Sequence, residues 1–592
     1  MIREVLFLVF TFSVTTVLTQ QELDWWQTTT IYQIYPRSYK DSDGNGVGDL
    51  RGILERVEHV KESGAGAIWL SPIYLSPMKD FGYDIANQTF IDPLFGTLED
   101  LLTLRDSMTK LGEFVSCSFV HTALQLVHDI LMITLDQHEW FQKSVKRIDP
   151  YTDYYIWHDG KVDNVTGERS APNNWYYYHV FTVEQPDLNY RSQYLVDDMK
   201  DVMRYWLNLG VDGFRVDSIP HLFEDTRFLD EPWTNKTGTQ EGDYDSVEHI
   251  YTQNLPETYD MVCQFRAVVD EYKARVMMTE AYADTEQMMA YYGTDDKPGA
   301  HFTFNFMPIM YLSNSSTAQD FSDVIHDWVD NVPEGRWGNW VFGNHDQHRV
   351  ASRYGLDLAD AINMLVTLLP GTAISYMGEE IAMEDTPLTW EQTVDPQGLN
   401  AGQEHYVEFS RDPERTPYQW DNTTSAGRKG GGSQYLYFVA RTIAANSNYQ
   451  NLTRRFSTNA TTWLPVNPNY LELNLEAEII AETSHFKVYQ QLTGLRNTKT
   501  IQLGSLNTQV VSEWIFTFSR ELGGEDTYIV LVNLGEEDST VDLTKFYSDL
   551  PETVIVAVAS VNSGHARGHE HSPQSLVLKG KQSLVITTGE LL

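Results

Sequence analysis

Short apolar runs alternate with longer segments whose apolar residues recur every three to four positions, the rhythm of strand followed by helix. Seven runs read as strands: Thr30 to Tyr35, Ala67 to Leu70, Val211 to Val216, Val276 to Thr279, His301 to Phe306, Trp340 to Gly343 and Ala373 to Tyr376. Between Ser192 and Leu209, residues Tyr194, Leu195, Met199, Val202, Met203 and Trp206 fall at helical spacing, and this segment leads straight into the strand ending at Asp217. Helices that feed parallel strands in this way predict an α/β architecture closed as a (β/α)8 barrel, the TIM arrangement. Each run ends in or beside a polar or charged residue: Arg37, Ser71, Asp217, Glu280, Asn305, Asn344 with Asp346, and Glu379. The C-terminal ends of barrel strands are where such a fold assembles a functional site.

The pattern changes at four places. Residues 1–20 read as a secretory signal peptide, with Arg3 in front of an apolar stretch, Val5 to Leu18, that is short for a membrane span. Residues 21–135 and 190–504 carry the barrel rhythm. The segment 136–189 is rich in Asn, Pro, Asp and Tyr and reads as a loop-rich insertion after the third strand. Residues 505–592 shift to short alternating runs, Glu513 to Phe518, Tyr528 to Val532, Val554 to Ala559 and Ser583 to Thr587, which predict a C-terminal antiparallel β domain. Within the second barrel part, 428–455 is an anomalous insertion. The stretch with His565, His569 and His571 reads as a solvated loop that could take up a metal only adventitiously.

Composition narrows the partners. A chain of 592 residues is too long for one core. With 83 acidic against 42 basic residues, a formal charge of −41, it repels phosphate backbones and anionic membranes, which argues against nucleic acid. No later stretch is long and apolar enough to span a bilayer. Seven glycosylation sequons, at Asn87, Asn164, Asn235, Asn314, Asn422, Asn451 and Asn459, suit a secreted, extracellular glycoprotein. The two cysteines, Cys117 and Cys263, exclude a disulfide scaffold, and whether they pair stays open, as does the oligomeric state.

Three strand-end motifs carry the chemistry: Gly213-Phe-Arg215-Val-Asp217, Met278-Thr-Glu280-Ala, and Gly343-Asn344-His345-Asp346-Gln347. One acid after a strand is ordinarily a helix cap. Three at three strand ends, beside Arg and His, fit glycoside cleavage, in which one carboxylate attacks the anomeric carbon and one carboxylic acid protonates the leaving oxygen. Arg215 lies two residues before Asp217 and so shares its face, where its charge favours the ionised carboxylate. Glu280 needs surroundings that raise its proton affinity. Separately, Asp41, Asp43, Asn45, Val47 and Asp49 alternate as oxygen donors do in a calcium loop, with Gly46 at the turn; Gly52 where an EF-hand has its bidentate Glu argues against that motif. A plain polar turn is the other reading.

These motifs, with IYQIYPRSYKDSDGNGVGDLRGI, AIWLSPIYLSPMKDFGYDI, FTVEQPDLNY, GFRVDSIPHLF, GTAISYMGEEI and SRDPERTPYQWD, resemble the α-amylase superfamily in its oligo-1,6-glucosidase and insect-maltase branch, from about Trp25 to the C-terminal domain. The resemblance implies a secreted exo-acting α-glucosidase that hydrolyses terminal α-linked glucose from maltose, sucrose or short oligosaccharides with retention. It implies Asp217 as nucleophile, Glu280 as acid/base and Asp346 as transition-state stabiliser, with Tyr83, Asp84, Arg215, His345 and Arg411 holding the terminal glucose. It also implies one structural Ca²⁺ in the Asp41–Asp49 loop and no organic cofactor. The QPDLN motif, Gln185 to Asn189, marks the glucosidase branch, and the small Ser218 leans toward α-1,4 linkages.

The chain departs from that family at three places. The Asp-x-Val-x-Asn-His motif expected on the third strand is absent between Glu113 and Leu135, where Phe114 to Val120 is the candidate strand and no role is carried onto His121, His128 or Asp129. The loop after Asn173 to Trp175 is short. Arg428 to Arg455 reads as a translated intron, because joining Gly427 to Phe456 restores the family pattern. The lost motif motivates an alternative, a catalytically impaired member that binds sugars or surfaces. Transporter heavy-chain relatives form a third class, which predicts an internal membrane helix and missing catalytic acids.

Overall fold

Parallel strands covered by helices are buried on both faces and read as continuous apolar runs, and the central strands follow this rule. In the computed structural model, which describes residues 23–113, 124–131, 134, 136–158, 175–236, 239–240, 244–423, 456–459 and 461–591, the barrel strands are β1 (Thr30–Ile34), β2 (Ala67–Leu70), β3 (Gln125–Ile130), β4 (Gly213–Val216), β5 (Val276–Thr279), β6 (Phe302–Thr303), β7 (Asn339–Val341) and β8 (Thr372–Tyr376). They are hydrogen-bonded in the order β6-β5-β4-β3-β2-β1-β8-β7, all parallel. Among the described residues no backbone ladder joins β6 to β7. The side chain of Asn339 closes that seam, donating to the Thr303 carbonyl at 2.5 Å and accepting from the Asn305 N–H at 3.0 Å. The predicted signal segment 1–20, the run Phe114 to Val120, Cys117, Asn164, Asn451 and the insertion 428–455 lie outside the described residues.

The third strand corrects the sequence reading. It is Gln125–Ile130, in register with β2 through Leu70 and His128 and with β4 through Asp129 and Arg215. Its sequence, QLVHDI, has a buried His and a buried Asp at its centre, so the apolar run that would advertise a parallel strand is broken. Alternation sorts the side chains. Val127 joins the barrel-interior cluster with Trp69, Val276, Met278 and Ile374. His128 points to the helix layer and stacks on Trp206 at 5.2 Å.

Helices supply the outer layer. Helix α1 (Leu50–Glu62) starts at Asp49, whose carboxylate caps the Gly52 N–H at 2.8 Å. Helix α2 (Gln193–Asn208) buries Leu195, Met199, Val202, Met203 and Trp206, the predicted stripe, while Tyr194 falls off it and is exposed. Helix α3 (Ala359–Leu368) is buried all round, because it lies between the barrel and the C-terminal sheet. That sheet comprises β9 (Ser505–Val510), β10 (Ile515–Glu521), β11 (Tyr528–Asn533), β12 (Val554–Ala559), β13 (Glu570–His571) and β14 (Ser583–Thr587), antiparallel in the order β9-β10-β11-β14-β12-β13. Phe516, Phe518, Val530, Val532 and Val585 pack on Ile362 and Leu365 of α3, in one cluster with residues of β7 and β8. Each such fully buried side chain contributes about 1.5–3 kcal/mol.

Candidate active site

Residues 215 to 218 leave β4 at the barrel mouth. Arg215 is fully buried, and no buried guanidinium is stable without partners. It has three. Nη1 binds Asp217 Oδ1, Nη2 binds Glu280 Oε1 at 2.8 Å, and Nη1 lies 3.5 Å from Asp129 Oδ2. One planar cation therefore gathers acids from the ends of β3, β4 and β5. Ser218 adopts the left-handed conformation, φ 48°, a strained choice for a residue with a side chain. That turn lets its N–H donate to Glu280 Oε2 at 3.0 Å and its hydroxyl to Asp217 Oδ2 at 3.0 Å.

Glu280 is pushed up to about 8. Burial is the main cause; Arg215 works against it, and the charges of Asp217 and Asp346 add to it. Glu280 thus holds a proton at neutral pH. Burial also raises Asp129, to about 7, against the pull of Arg215. Asp346 goes the other way. Burial favours its neutral form, but His345 and the guanidiniums of Arg415 and Arg411 outweigh that and hold it below the ordinary carboxylate range. Arg415 Nη2 lies 2.6 Å and Arg411 Nη1 3.2 Å from Asp346 Oδ1.

His345 is held in one tautomer. The Gln33 amide donates to its Nδ1 at 2.8 Å, so the proton sits on Nε2, 3.2 Å from Asp346 Oδ2. Burial lowers its proton affinity well below the usual histidine range. The ring is sandwiched between Tyr83 at 5.1 Å and Tyr35 at 5.6 Å, both near parallel. Tyr83 in turn donates to Asp129 Oδ2 at 3.0 Å, and Trp69 Nε1 to Asp129 Oδ1 at 2.5 Å. At Gly343, just before Asn344, a Cβ would stand 2.2 Å from Glu379 Oε1, so any larger residue would displace that carboxyl.

Of the residues singled out in the sequence, Asp217, Glu280, Arg215, Asp346, His345, Arg411 and Tyr83 form one connected network. Asp84 is not joined to it by a direct bond. Its oxygens accept from the Ser76 hydroxyl and from the N–H groups of Lys79, Asp80 and Gly82, so it braces the 76–84 loop. The neighbouring Asp80 instead meets Arg411, at 2.8 Å, and Asp395 meets the same guanidinium at 2.6 Å. Sequence reasoning missed Asp129, Asp80, Asp395, Arg415 and Gln33. Arg415 and Asp80 stand inside motifs already quoted; Asp129 stands in a strand the sequence disguised.

At the first barrel loop, Asp41, Asp43 and Asp49 each offer an oxygen, all within 4.8 Å of one another. Asp41 accepts from Asp43, Gly44 and Gly46 N–H groups, and Asn45 Oδ1 accepts from Val47 N–H at 2.7 Å. Gly44 and Gly46 take the positive φ that folds the chain back on itself. Three carboxylates at this spacing fit a hard, oxygen-ligated cation.

Acids gathered on one arginine at a barrel mouth are the kind of arrangement that glycoside hydrolysis requires. Comparison with known proteins agrees. The alpha-amylase catalytic-domain family matches residues 33–454 and 453–504. The chain is 41% identical over 592 residues to Maltase 1 of Drosophila virilis, covering 95% of this chain and 87% of that protein, and 41% identical over 556 residues to an alpha-glucosidase of Apis mellifera, covering 90% and 89%. Among solved structures, the alpha-glucosyl transfer enzyme XgtA matches with a TM-score of 0.78 at 26% identity, covering 96% of this chain and all of that one. The chain belongs to the alpha-amylase family. Among the described residues no helix is long and apolar enough to cross a membrane.

Proposed function

We propose that this chain is a secreted, exo-acting α-glucosidase that releases terminal glucose from maltose, sucrose or short α-linked oligosaccharides by a retaining double displacement. The observation that carries the reading is the pair of carboxyl groups, Asp217 and Glu280, on the two amino groups of Arg215. Retaining enzymes hold their two carboxyl groups about 5 Å apart, and a shared guanidinium supports a short separation of this kind. In the first step Asp217 attacks the anomeric carbon while Glu280 delivers its proton to the leaving oxygen. The ring then carries positive charge, which ionised Asp346 stabilises. In the second step Glu280, now ionised, takes a proton from water as the water displaces Asp217.

The maltase and alpha-glucosidase relatives support the substrate class, and Ser218 supports the α-1,4 preference. Secretion is supported by the N-terminal apolar stretch and by sequons Asn87, Asn235, Asn314 and Asn422, all exposed. Asp129 supports an active enzyme over an impaired one, since an acid from β3 still braces Arg215 and Tyr83. We also propose that Asp41, Asp43 and Asp49, with Asn45 and the Val47 carbonyl, hold a structural Ca²⁺.

The test is hydrolysis of a chromogenic α-glucoside by wild type and Asp217→Asn, with NMR on the same glucoside to follow the anomer released. The wild type is expected to release α-glucose first, and the variant to lose activity by several orders of magnitude. Equal rates for the two proteins would overturn the proposal, and release of β-glucose would overturn retention.

A further inference from the structure

Far along the chain from the barrel mouth, the edge of the C-terminal sheet gathers three histidines. His569 and His571 are two residues apart along extended backbone and so share a face. The pairing of β12 with β13 continues past the named strand, with Val556 N–H donating to the His569 carbonyl at 2.9 Å and Gly568 N–H to the Val556 carbonyl at 2.9 Å. A turn precedes it, closed by His569 N–H on the Ala566 carbonyl at 3.1 Å, with Gly568 at φ 90°. That turn folds His565 back over the strand, its N–H donating to the Ser563 hydroxyl. One ring nitrogen from each of His565, His569 and His571 then lies within 4.8 Å of the others.

We propose that His565, His569 and His571 form a binding site for a borderline transition-metal dication, Zn²⁺ among them, with water completing the shell. Two imidazole nitrogens on a tetrahedral zinc, each at roughly 2.05 Å, are about 3.3 Å apart. His565 Nδ1 and His571 Nε2 are 3.2 Å apart. Imidazole ligands suit zinc, copper and nickel, not the hard cations that prefer oxygen. His569 Nδ1 rests on the Ala566 N–H at 3.3 Å, a long bond that a ligating tautomer gives up. Two of the three side chains are half-buried and the third is exposed, so an ion reaches the site from solvent. When bound it ties the turn to the edge strand of the sheet.

Calorimetric titration of the full-length protein with ZnCl2 near pH 7.5 tests this, beside His569→Ala and the double variant His565→Gln/His571→Gln. None of the three residues touches the catalytic network, so each variant is expected to keep wild-type glucosidase activity, which also reports its folding. Wild type is expected to show one zinc site that weakens about tenfold or more in the single variant and about a hundredfold or more in the double variant. Cobalt(II) is expected to give tetrahedral visible bands in wild type that both variants lose. Indistinguishable zinc isotherms for all three proteins, with any binding confined to carboxylate sites that the variants keep, would overturn the proposal.

Discussion

Replacing Glu280 by Gln isolates the electrostatic cost of the buried acid. The carboxyl sits near 8 in the folded protein against an ordinary value of 4.5. Between those two pH values the folded chain holds a proton that the unfolded chain has released. Stability therefore falls as pH rises through this window, by about 1.4 kcal/mol per pH unit for this one group, and the fall stops above pH 8. A window of roughly 3.5 units makes the whole loss about 5 kcal/mol. Glutamine has the same shape and cannot ionise, so Glu280→Gln escapes the loss. For 592 residues, with an unfolding entropy near 2 cal/mol/K per residue, the melting temperature of the variant should gain about 4 °C on wild type between pH 4.5 and 8.5. Differential scanning calorimetry of both proteins across that range provides the measurement. Asp129, Glu379 and Glu414 are also raised by burial, but they titrate in both proteins and cancel in the difference. A gap in melting temperature that stays constant with pH, or narrows as pH rises, would refute the placement of a protonated Glu280 on Arg215.

Three further outcomes are expected. The alkaline limb of kcat/KM should lie near pH 8, where Glu280 loses the proton it donates, and Asp129→Asn should cut kcat roughly 10- to 100-fold and move that limb to lower pH, because a less neutralised Arg215 pulls harder on Glu280; an unmoved limb would leave Asp129 a purely structural acid. Removing divalent cations with EDTA should lower the melting temperature, CaCl2 should restore it, and Asp41→Asn should abolish the response to both. Phe518→Ala should destabilise by about 3–5 kcal/mol in urea denaturation, because that ring is fully buried between the C-terminal sheet and the helix layer.

Seven of the eight barrel strands were legible because parallel strands under helices are mostly apolar, as Ala67–Leu70 and Val276–Thr279 are, and a single polar residue such as Gln33 does not hide one. The eighth was hidden by its own chemistry: His128 and Asp129 sit mid-strand, and only the fold shows that one stacks on Trp206 while the other faces Arg215. In the C-terminal sheet the four runs with strong alternation emerged, whereas Ser505–Val510 did not, being a polar, half-exposed edge. The candidate catalytic acids were visible because each follows a strand in a specific motif. The charge partners of Asp346 were half visible: Arg411 and Arg415 share one motif, and which of them is nearer depends on how that loop turns. Asp84 and Asp80 show the same limit, since two acids four residues apart cannot be assigned to bracing and to ion pairing without the loop conformation.

A ring of strands joined at every neighbour has no weakest joint, but this one has a defined place to begin coming apart. Where the two-residue β6 meets β7, one amide side chain stands in for a ladder. That seam adjoins β7, whose end carries His345 and Asp346, while β3 and β4, beneath Asp129 and Asp217, keep backbone pairing on both flanks.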